Sequence, residues 1–585
     1  MSASSSSSPS FPLPKQVVQS LSAYHPPLEG RRDKVRLDFN ENTEGYAHLS
    51  PLAHVADAQQ LLTTYPEYQR LVAGLAQLWQ LPHASILLTN GSDEALSVIP
   101  QTYIEPKVDR ALVCLPTFAM IPHSLKLAEA VLTTVPMQVC PQTQALTYNL
   151  AAIEAALAEH PHKVAVFASP DNPTGAILPK ATLESWCRRF PHTLFVLDEA
   201  YSEYQGEAFT AIPLTQELPN LLVTRTFSKA WGLAGLRLGY VVGQAHLLAP
   251  LKIVRSPYSV NTLAVSCVLA LLPHAAKVQA SAEATQAKRN QLAQRITQLG
   301  WPTVVGGGNF CLVQAGVLAG VLCQYLAQRG VLIRNQSHQP LLAGYVRVST
   351  GSDGENETLL QGLEGFKHDL ALVFDLDDTL VDTSQSFPKV VEALMALWSP
   401  QAPLQAGELD ALRAEGGGFN DDWLATAELL RRRGVEGISL AMIQAEGQRR
   451  YQVLAPTTET LLVDEAMLAS LAKRYSLYVF TGRQRAEFDP LWRDTLAPYF
   501  KRMVCSDDVA GAKPKPSPDY LCWLKETEGF NTAVYVGNNV DDMHCAKAAG
   551  YWPVGVATTQ PASVLKAAGA VSVFDSPVAL FEQLV

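Results

Sequence analysis

Short apolar runs, each of strand length and each ended by a polar or turn residue, recur along this chain with helix-patterned stretches between them; nothing else in it restricts the fold so tightly. Residues 164–167, 194–197 and 221–223 are three such runs in the first 270 positions. This alternation gives an α/β fold, a largely parallel sheet covered by helices with ligands at the carboxyl ends of its strands. A second series begins at Leu370-Ala371-Leu372-Val373-Phe374 and continues at 477–480 and 533–536, so it forms a sheet of its own. At 585 residues the chain is longer than one core usually grows, and two or more globular units are expected. The helix-like stretch 355–366 closes the first unit and leaves 367–369 as connector. The boundaries read as a Ser-rich disordered tail at 1–14, a first domain at 15–367 and a second at 368–585. Few strand-like runs fall within 381–470, which reads as a helical insert in the second sheet.

A chain 48% hydrophobic and 17% charged is not disordered over most of its length. Its net charge of −10, with no basic cluster, argues against nucleic acid and for small metabolites as partners. No uninterrupted apolar run approaches the length of a membrane span. The nine cysteines are scattered and never spaced Cys-x-x-Cys, so neither a disulfide framework nor a zinc site is indicated, and a reducing, cytoplasmic compartment is expected.

The stretch Arg225-Thr226-Phe227-Ser228-Lys229, with Arg237 eight residues on, sets an amine beside two hydroxyls and a guanidinium. Pyridoxal 5'-phosphate (PLP) asks for that combination: a lysine that forms a Schiff base, and hydroxyls with a forked cation for the phosphate. A carboxylate must also face the pyridine nitrogen, so that the ring stays protonated and draws electrons. Asp198 follows the run 194–197, and Tyr201 stands three residues on, able to donate to the ring's 3-oxygen. Asn172, in Ser169-Pro170-Asp171-Asn172-Pro173-Thr174-Gly175, is a second donor to that oxygen. Gly91-Ser92-Asp93-Glu94 precedes a helical pattern whose first amides suit a phosphate, and Phe118 stands where it could stack on the ring. Singly, each residue has an ordinary use in a turn, a cap or the core; in this order they mark a cofactor socket.

Over roughly residues 37–366 the sequence resembles the fold type I aminotransferases, and among them the histidinol-phosphate aminotransferase family. The resemblance is carried by Leu37-Asp38-Phe39-Asn40-Glu41-Asn42, Tyr65-Pro66, the Gly91 segment, Asp198-Glu199-Ala200-Tyr201, the lysine segment and Tyr345-Val346-Arg347-Val348. It implies a large sheet domain with a small α/β domain, and a homodimer in which Tyr65 reaches the PLP phosphate of the other subunit. It also implies substrate contacts from Asn40, Arg334 and Arg347, the two arginines holding the anionic ends of the substrates. Glutamate carries carboxylates and imidazole acetol phosphate ends in a phosphate, and forked guanidiniums serve either. Thr43-Glu44-Gly45 departs from the proline-containing continuation usual in the family.

Asp375-Leu376-Asp377-Asp378-Thr379 directly follows the run 370–374, so Asp375 and Asp377 share one face at a strand's carboxyl end. Such a pair divides labour: Asp375 attacks phosphorus and becomes an aspartyl phosphate, while Asp377 protonates the leaving oxygen and later activates water. Mg2+ would join nucleophile to phosphate and offset charge. Thr481-Gly482-Arg483 offers a hydroxyl and amides to the phosphate, and Lys515 offers a cation, preferred to Lys513 because it heads Lys515-Pro516-Ser517-Pro518-Asp519. Asp541 and Asp542 add carboxylates for the metal to those of Asp375 and Asp377. From 368 to 585 this half looks like the haloacid dehalogenase (HAD) superfamily of phosphatases, with 381–470 in the place of the cap that excludes water and selects substrates. One position departs: in Gly537-Asn538-Asn539-Val540-Asp541-Asp542, Asn538 stands where a metal-facing carboxylate is expected.

Together the resemblances imply a bifunctional enzyme of histidine biosynthesis. Transamination between imidazole acetol phosphate and glutamate yields histidinol phosphate, a monoester the second half is expected to hydrolyse. The alternative is an aromatic or other amino-acid aminotransferase joined to a HAD-like module that binds without catalysis.

Overall fold

The computed structural model of the protein describes residues 20, 30–31, 33–46, 63–415, 419 and 421–584; the tail expected at 1–14 lies outside them. Two compact units are formed. One reaches Ala315 and takes in Leu326–Gln361, and the other comprises Gly316–Tyr325 and the chain from Gly362 onward. The division thus places 316–325 with the second unit, which a single boundary at 367 does not. The connector expected at 367–369 is corrected as well, because these residues form the last turn of a helix, Asp353–Asp369. Asp353 and Glu355 in its first turn and Lys367 and His368 in its last complement the helix dipole, and no breaker intervenes before the next strand.

In the first unit seven strands build the large sheet: β1 (Ile86–Thr89), β2 (Arg110–Leu115), β3 (Val131–Pro136), β4 (Val164–Ala168), β5 (Leu194–Asp198), β6 (Leu221–Thr226) and β7 (Gly239–Val242). Their order is β1-β7-β6-β5-β4-β2-β3, parallel throughout except for β7, which runs antiparallel to β1 and β6. Helix α1 (Gly91–Tyr103) follows β1. Every position of β4, β5 and β6 is buried. Successive side chains alternate between two cores, with Phe167, Phe195 and Val223 in one and Val166, Val196 and Leu222 in the other. Register aligns Ala168, Asp198 and Thr224 across three strands, so their carboxyl ends finish together. A smaller antiparallel sheet of β8 (Thr303–Val305), β9 (Phe310–Gln314), β10 (Arg334–Asn335) and β11 (Tyr345–Ser349) has the order β8-β9-β11-β10. The helical run Thr262–Gln298 contains a window apolar enough by composition to cross a membrane. Val265, Val268 and Leu271 in its first part belong to the core of this unit, which accounts for that composition.

The second unit is built on β12 (Leu370–Phe374), β13 (Ser476–Phe480), β14 (Arg502–Val504), β15 (Thr532–Gly537), β16 (Trp552–Val556) and β17 (Ser572–Phe574). All pairs are parallel, in the order β14-β13-β12-β15-β16-β17. Between β12 and β13 the chain leaves through a two-stranded neck, Val381–Asp382 against Thr460–Leu461. The insert consists of α2 (Phe387–Trp398), α3 (Glu408–Ala414), α4 (Asp422–Arg432) and α5 (Leu440–Thr458), packed around Val391, Leu394, Leu429 and Tyr451. It closes at Leu461, short of the 470 read from the sequence, since Glu465–Ala472 is already beyond the neck. Helices α6 (Arg485–Leu496) and α7 (Val540–Ala548) follow β13 and β15.

Candidate active sites

The first site lies at the carboxyl ends of β1, β4, β5 and β6. Asn90 gives α1 no side-chain cap, so its first amides are open to an anion. Gly91 sits at φ +73°, and a Cβ there would lie 2.7 Å from Arg237 Nη2, so no side chain fits without strain and displacement of the guanidinium. Arg237 donates to Ser228 Oγ at 3.2 Å and to Asp93 Oδ2 at 2.7 Å, and Thr226 Oγ1 donates to Ser228 Oγ at 3.0 Å. Gly91, Thr226, Ser228 and Arg237 thus come together beside the start of α1, and Asp93 joins them through its carboxylate, paired with Arg237.

Asp198 ends β5 buried, and among the described residues its carboxylate accepts one hydrogen bond, from Thr224 Oγ1 at 2.8 Å. Burial pushes its carboxyl from the ordinary 3.8 up to about 7, against the Thr224 bond and with help from the charges of Asp93, Glu199 and Asp171. Lys229 Nζ donates to the Phe39 carbonyl at 2.9 Å and stands 5.6 Å from the centre of the Tyr201 ring. Asn40 donates to Tyr201 Oη at 3.0 Å and accepts from Ser349 Oγ at 2.8 Å. Arg347 Nη1 donates to Asn172 Oδ1, which leaves the Asn172 amino group free to donate, and Arg347 Nη2 donates to the Asp38 carbonyl at 2.5 Å. Arg334 lies directly opposite Arg347 in the β10–β11 register and makes no ion pair among the described residues. Cross-strand partners share one face of a sheet, so both arginines stand on the same face, the Arg334 guanidinium 5.6 Å from the Phe39 ring and that of Arg347 5.5 Å from the Phe310 ring. Phe118 is half-buried in the loop after β2, and Tyr65 is 74% exposed, stacked on Tyr258 at 4.6 Å.

Beneath this surface lies a network that sequence reasoning missed. Arg225 pairs with Glu199 at 3.0 Å and Glu203 at 2.6 Å, and Trp231 Nε1 donates to Glu203 at 3.1 Å. It ties the Asp198–Tyr201 segment to the lysine segment. The donor set fits PLP, with a cradle for its phosphate, Asp198 for its nitrogen, Tyr201 and Asn172 for its ring oxygen and Lys229 for its aldehyde.

Between about pH 4 and 7 the folded, cofactor-free protein holds a proton on Asp198 that the unfolded chain has released, so this group's contribution to stability falls as pH rises and its full cost is reached above about 7. Asp198→Asn is therefore expected to stabilise the cofactor-free protein near pH 8 by up to about 4 kcal/mol and to change little near pH 4. Calorimetry at both pH values checks this; equal shifts would mean that the carboxylate bears no burial cost.

In the second unit, Asp375 N donates to the Val536 carbonyl at 2.8 Å, which fixes the first aspartate at the end of β12. Lys515 Nζ sits between Asp375 Oδ1 at 2.6 Å and Asp542 Oδ1 at 2.8 Å, all three buried. Burial raises the Asp375 carboxyl and Lys515 opposes it. Asp542 Oδ2 accepts from the amides of Asn538 at 3.1 Å and Asn539 at 3.2 Å, so both its oxygens are engaged. A Cβ on Gly537 would meet the Asp542 carboxyl at 2.4 Å, which explains glycine there. Asp541 is buried on α7. Thr481 is buried, its Oγ1 accepting from Arg483 N at 3.2 Å. A cavity of about 500 Å³ is lined by Asp375, Asp377, Gly482, Lys515 and Asn538; Thr481, Asp541 and Asp542 are not among its lining residues.

Among the described residues no three His, Cys, Asp or Glu side chains converge as a metal site. Asp375 and the amide of Asn538 face the cavity, a set that suits Mg2+ when water and phosphate oxygens complete the shell. The side chain that sequence reasoning left without a task is Arg483. It donates to Asp377 Oδ1 at 2.5 and 2.8 Å, to Glu459 at 3.0 and 3.1 Å and to Tyr451 Oη at 2.6 Å, and is 1% exposed. Trp492 Nε1 braces Glu459 at 2.9 Å. Asp377 is thereby oriented by a buried cation whose other partners come from α5 and the neck.

The family model of aminotransferase class I and II matches residues 32–363, and that of haloacid dehalogenase-like hydrolases matches 370–550. A histidinol-phosphate aminotransferase of Symbiobacterium thermophilum is 36% identical over 338 residues, covering 57% of this chain and 91% of that protein. One of Anoxybacillus flavithermus is 31% identical over 364 residues, covering 60% and 95%. Among solved structures, histidinol-phosphate aminotransferase from Sinorhizobium meliloti in complex with PLP shares the fold, with a TM-score of 0.55 at 24% identity, covering 61% of this chain and 97% of that one.

Proposed function

Because the chain belongs to the class I and II aminotransferases and carries a haloacid dehalogenase-like hydrolase unit behind that domain, we propose that it makes histidinol phosphate from imidazole acetol phosphate and glutamate and then hydrolyses a phosphate monoester, histidinol phosphate foremost. The observation that carries the first half is a buried Asp198 carboxylate at the carboxyl end of β5, with the Lys229 amine in the segment that follows β6, in a chain 36% identical over 338 residues to a histidinol-phosphate aminotransferase. The active form is a homodimer, to which the exposed Tyr65 contributes across the subunit boundary, and the compartment is the cytoplasm.

PLP, when bound, supplies the carbonyl carbon and the electron-withdrawing ring. The chain does the rest. Asp198 would keep the ring nitrogen protonated, and Arg237, Ser228 and the α1 amides would hold the phosphate. Lys229 Nζ takes the proton from the substrate alpha carbon and returns it on the other side of the reaction. Arg334 and Arg347 hold the carboxylate of one substrate and the phosphate of the other. In the second unit Asp375 attacks phosphorus as the ester P–O bond breaks, Lys515 offsets the charge, and Asp377, oriented by Arg483, passes a proton to the leaving oxygen; Asp377 then takes a proton from water, which attacks the phosphoryl group on Asp375 and releases inorganic phosphate. Mg2+, held by Asp375 and the Asn538 amide oxygen, would lessen the charge on the phosphate.

Purified protein supplied with PLP, Mg2+, glutamate and imidazole acetol phosphate is expected to accumulate histidinol phosphate and then inorganic phosphate, with neither formed when glutamate is withheld. Transamination without phosphate release would leave a binding role for the second unit, the reading that the neutral Asn538 favours.

A further inference from the structure

The cavity beside Asp375 has an unbalanced charge. Each cation in its lining is matched: Lys515 by Asp375 and Asp542, Arg483 by Asp377 and Glu459, and Arg413 by Asp422 at 2.6 Å. Three lining carboxylates make no ion pair among the described residues: Asp378, which accepts from Thr383 N and Oγ1, and Glu487 and Asp421, of which Glu487 feels the charge of Arg483 only at a distance. Glu487, on the first turn of α6, is 7% exposed; its Oε2 accepts from Gln484 N at 3.0 Å, while Oε1 has no hydrogen-bond partner among the described residues. Asp421, from the insert, uses Oδ1 to cap α4 through the Trp423 and Leu424 amides at 2.9 and 3.0 Å, and its Oδ2 is likewise unpartnered among the described residues. The two are close enough to feel each other: burial raises the Glu487 carboxyl to about 7, and the charge of Asp421 adds to that rise. Trp423 and Phe387, with ring centres 6.0 Å apart, line the same cavity.

A buried carboxylate facing open space, a second across from it, and aromatic rings beside them describe a receptor for a cation. The rings of Trp423 and Phe387 in the same lining suit an organic cation better than a hydrated metal ion. We propose that the second unit selects phosphate monoesters whose alcohol portion bears an ammonium or similar organic cation, read by Glu487 from the sheet-bearing half and Asp421 from the insert, against Trp423 and Phe387. This rests on the reading of the unit as a phosphatase and deepens it. Histidinol phosphate, with its amine, belongs to this class; sugar and simple alkyl phosphates do not.

The test compares 3-aminopropyl phosphate with propyl phosphate, using the full chain with Mg2+. A charge-assisted contact of this kind is expected to favour the amine in kcat/KM by about 10- to 100-fold. In Glu487→Gln and Asp421→Asn that ratio should fall toward unity, carried by KM; because it is measured within one protein, partial loss of folding does not imitate it. Equal turnover of the two esters, or a ratio unmoved in both variants, overturns the proposal. If neither ester nor p-nitrophenyl phosphate is hydrolysed, the phosphatase reading fails, and calorimetric titration of the two esters decides the selectivity. Tighter binding of the amine ester, lost in Glu487→Gln, supports it, and equal binding overturns it.

Discussion

Lys229→Ala is expected to lower glutamate-dependent transamination by about 10⁴-fold, since one amine serves as covalent anchor and as proton carrier. The variant should still take up PLP through the Gly91, Ser228 and Arg237 cradle, none of which depends on the lysine, but without the visible absorption of covalently held cofactor. Among the described residues the Lys229 amine makes one hydrogen bond, to the Phe39 carbonyl, so its removal costs little stability. Phosphate release by the second unit should persist. Stopped-assay kinetics and absorbance spectra check both points; a variant that keeps more than about one hundredth of the activity would remove Lys229 from the chemistry.

Asp375→Asn is the second large effect, a fall in phosphate release of about 10³-fold or more, because an amide cannot attack phosphorus and nothing else at the end of β12 replaces it. Folding should survive, since Lys515 keeps its contact with Asp542 at 2.8 Å. Transamination should be unchanged. Turnover of a phosphate monoester panel by the two proteins checks this, and equal rates would mean that the activity arises elsewhere.

Much of the first site was legible in the sequence because its residues follow strand ends. The run 194–197 announces β5, and whatever follows it stands at the carboxyl edge, so the positions of Asp198 and Tyr201 follow from the sequence. The same holds for Asp375 after 370–374. The role of Asp93 was not legible: its place in a helix-start segment suggests a phosphate cradle, whereas its carboxylate pairs with Arg237, 144 residues away. Nor was Asp542, which reads as a metal ligand but spends its oxygens on Lys515 and the backbone of its own turn. Arg483 carried no signal, because its partners Asp377, Tyr451 and Glu459 lie on separate elements.

The order of strands and helices, the place where each strand stops and the identity of the side chain exposed there were determined by the sequence itself, since hydrophobic runs and turn residues act over a few neighbouring positions. Which charges meet, and which are left without a partner, was decided only by the tertiary structure. The match of Arg483 to Asp377 and the lack of an ion pair at Glu487 among the described residues depend on distances between segments far apart in the chain, and a Coulomb interaction is set by separation in space and by burial, neither of which a linear pattern records.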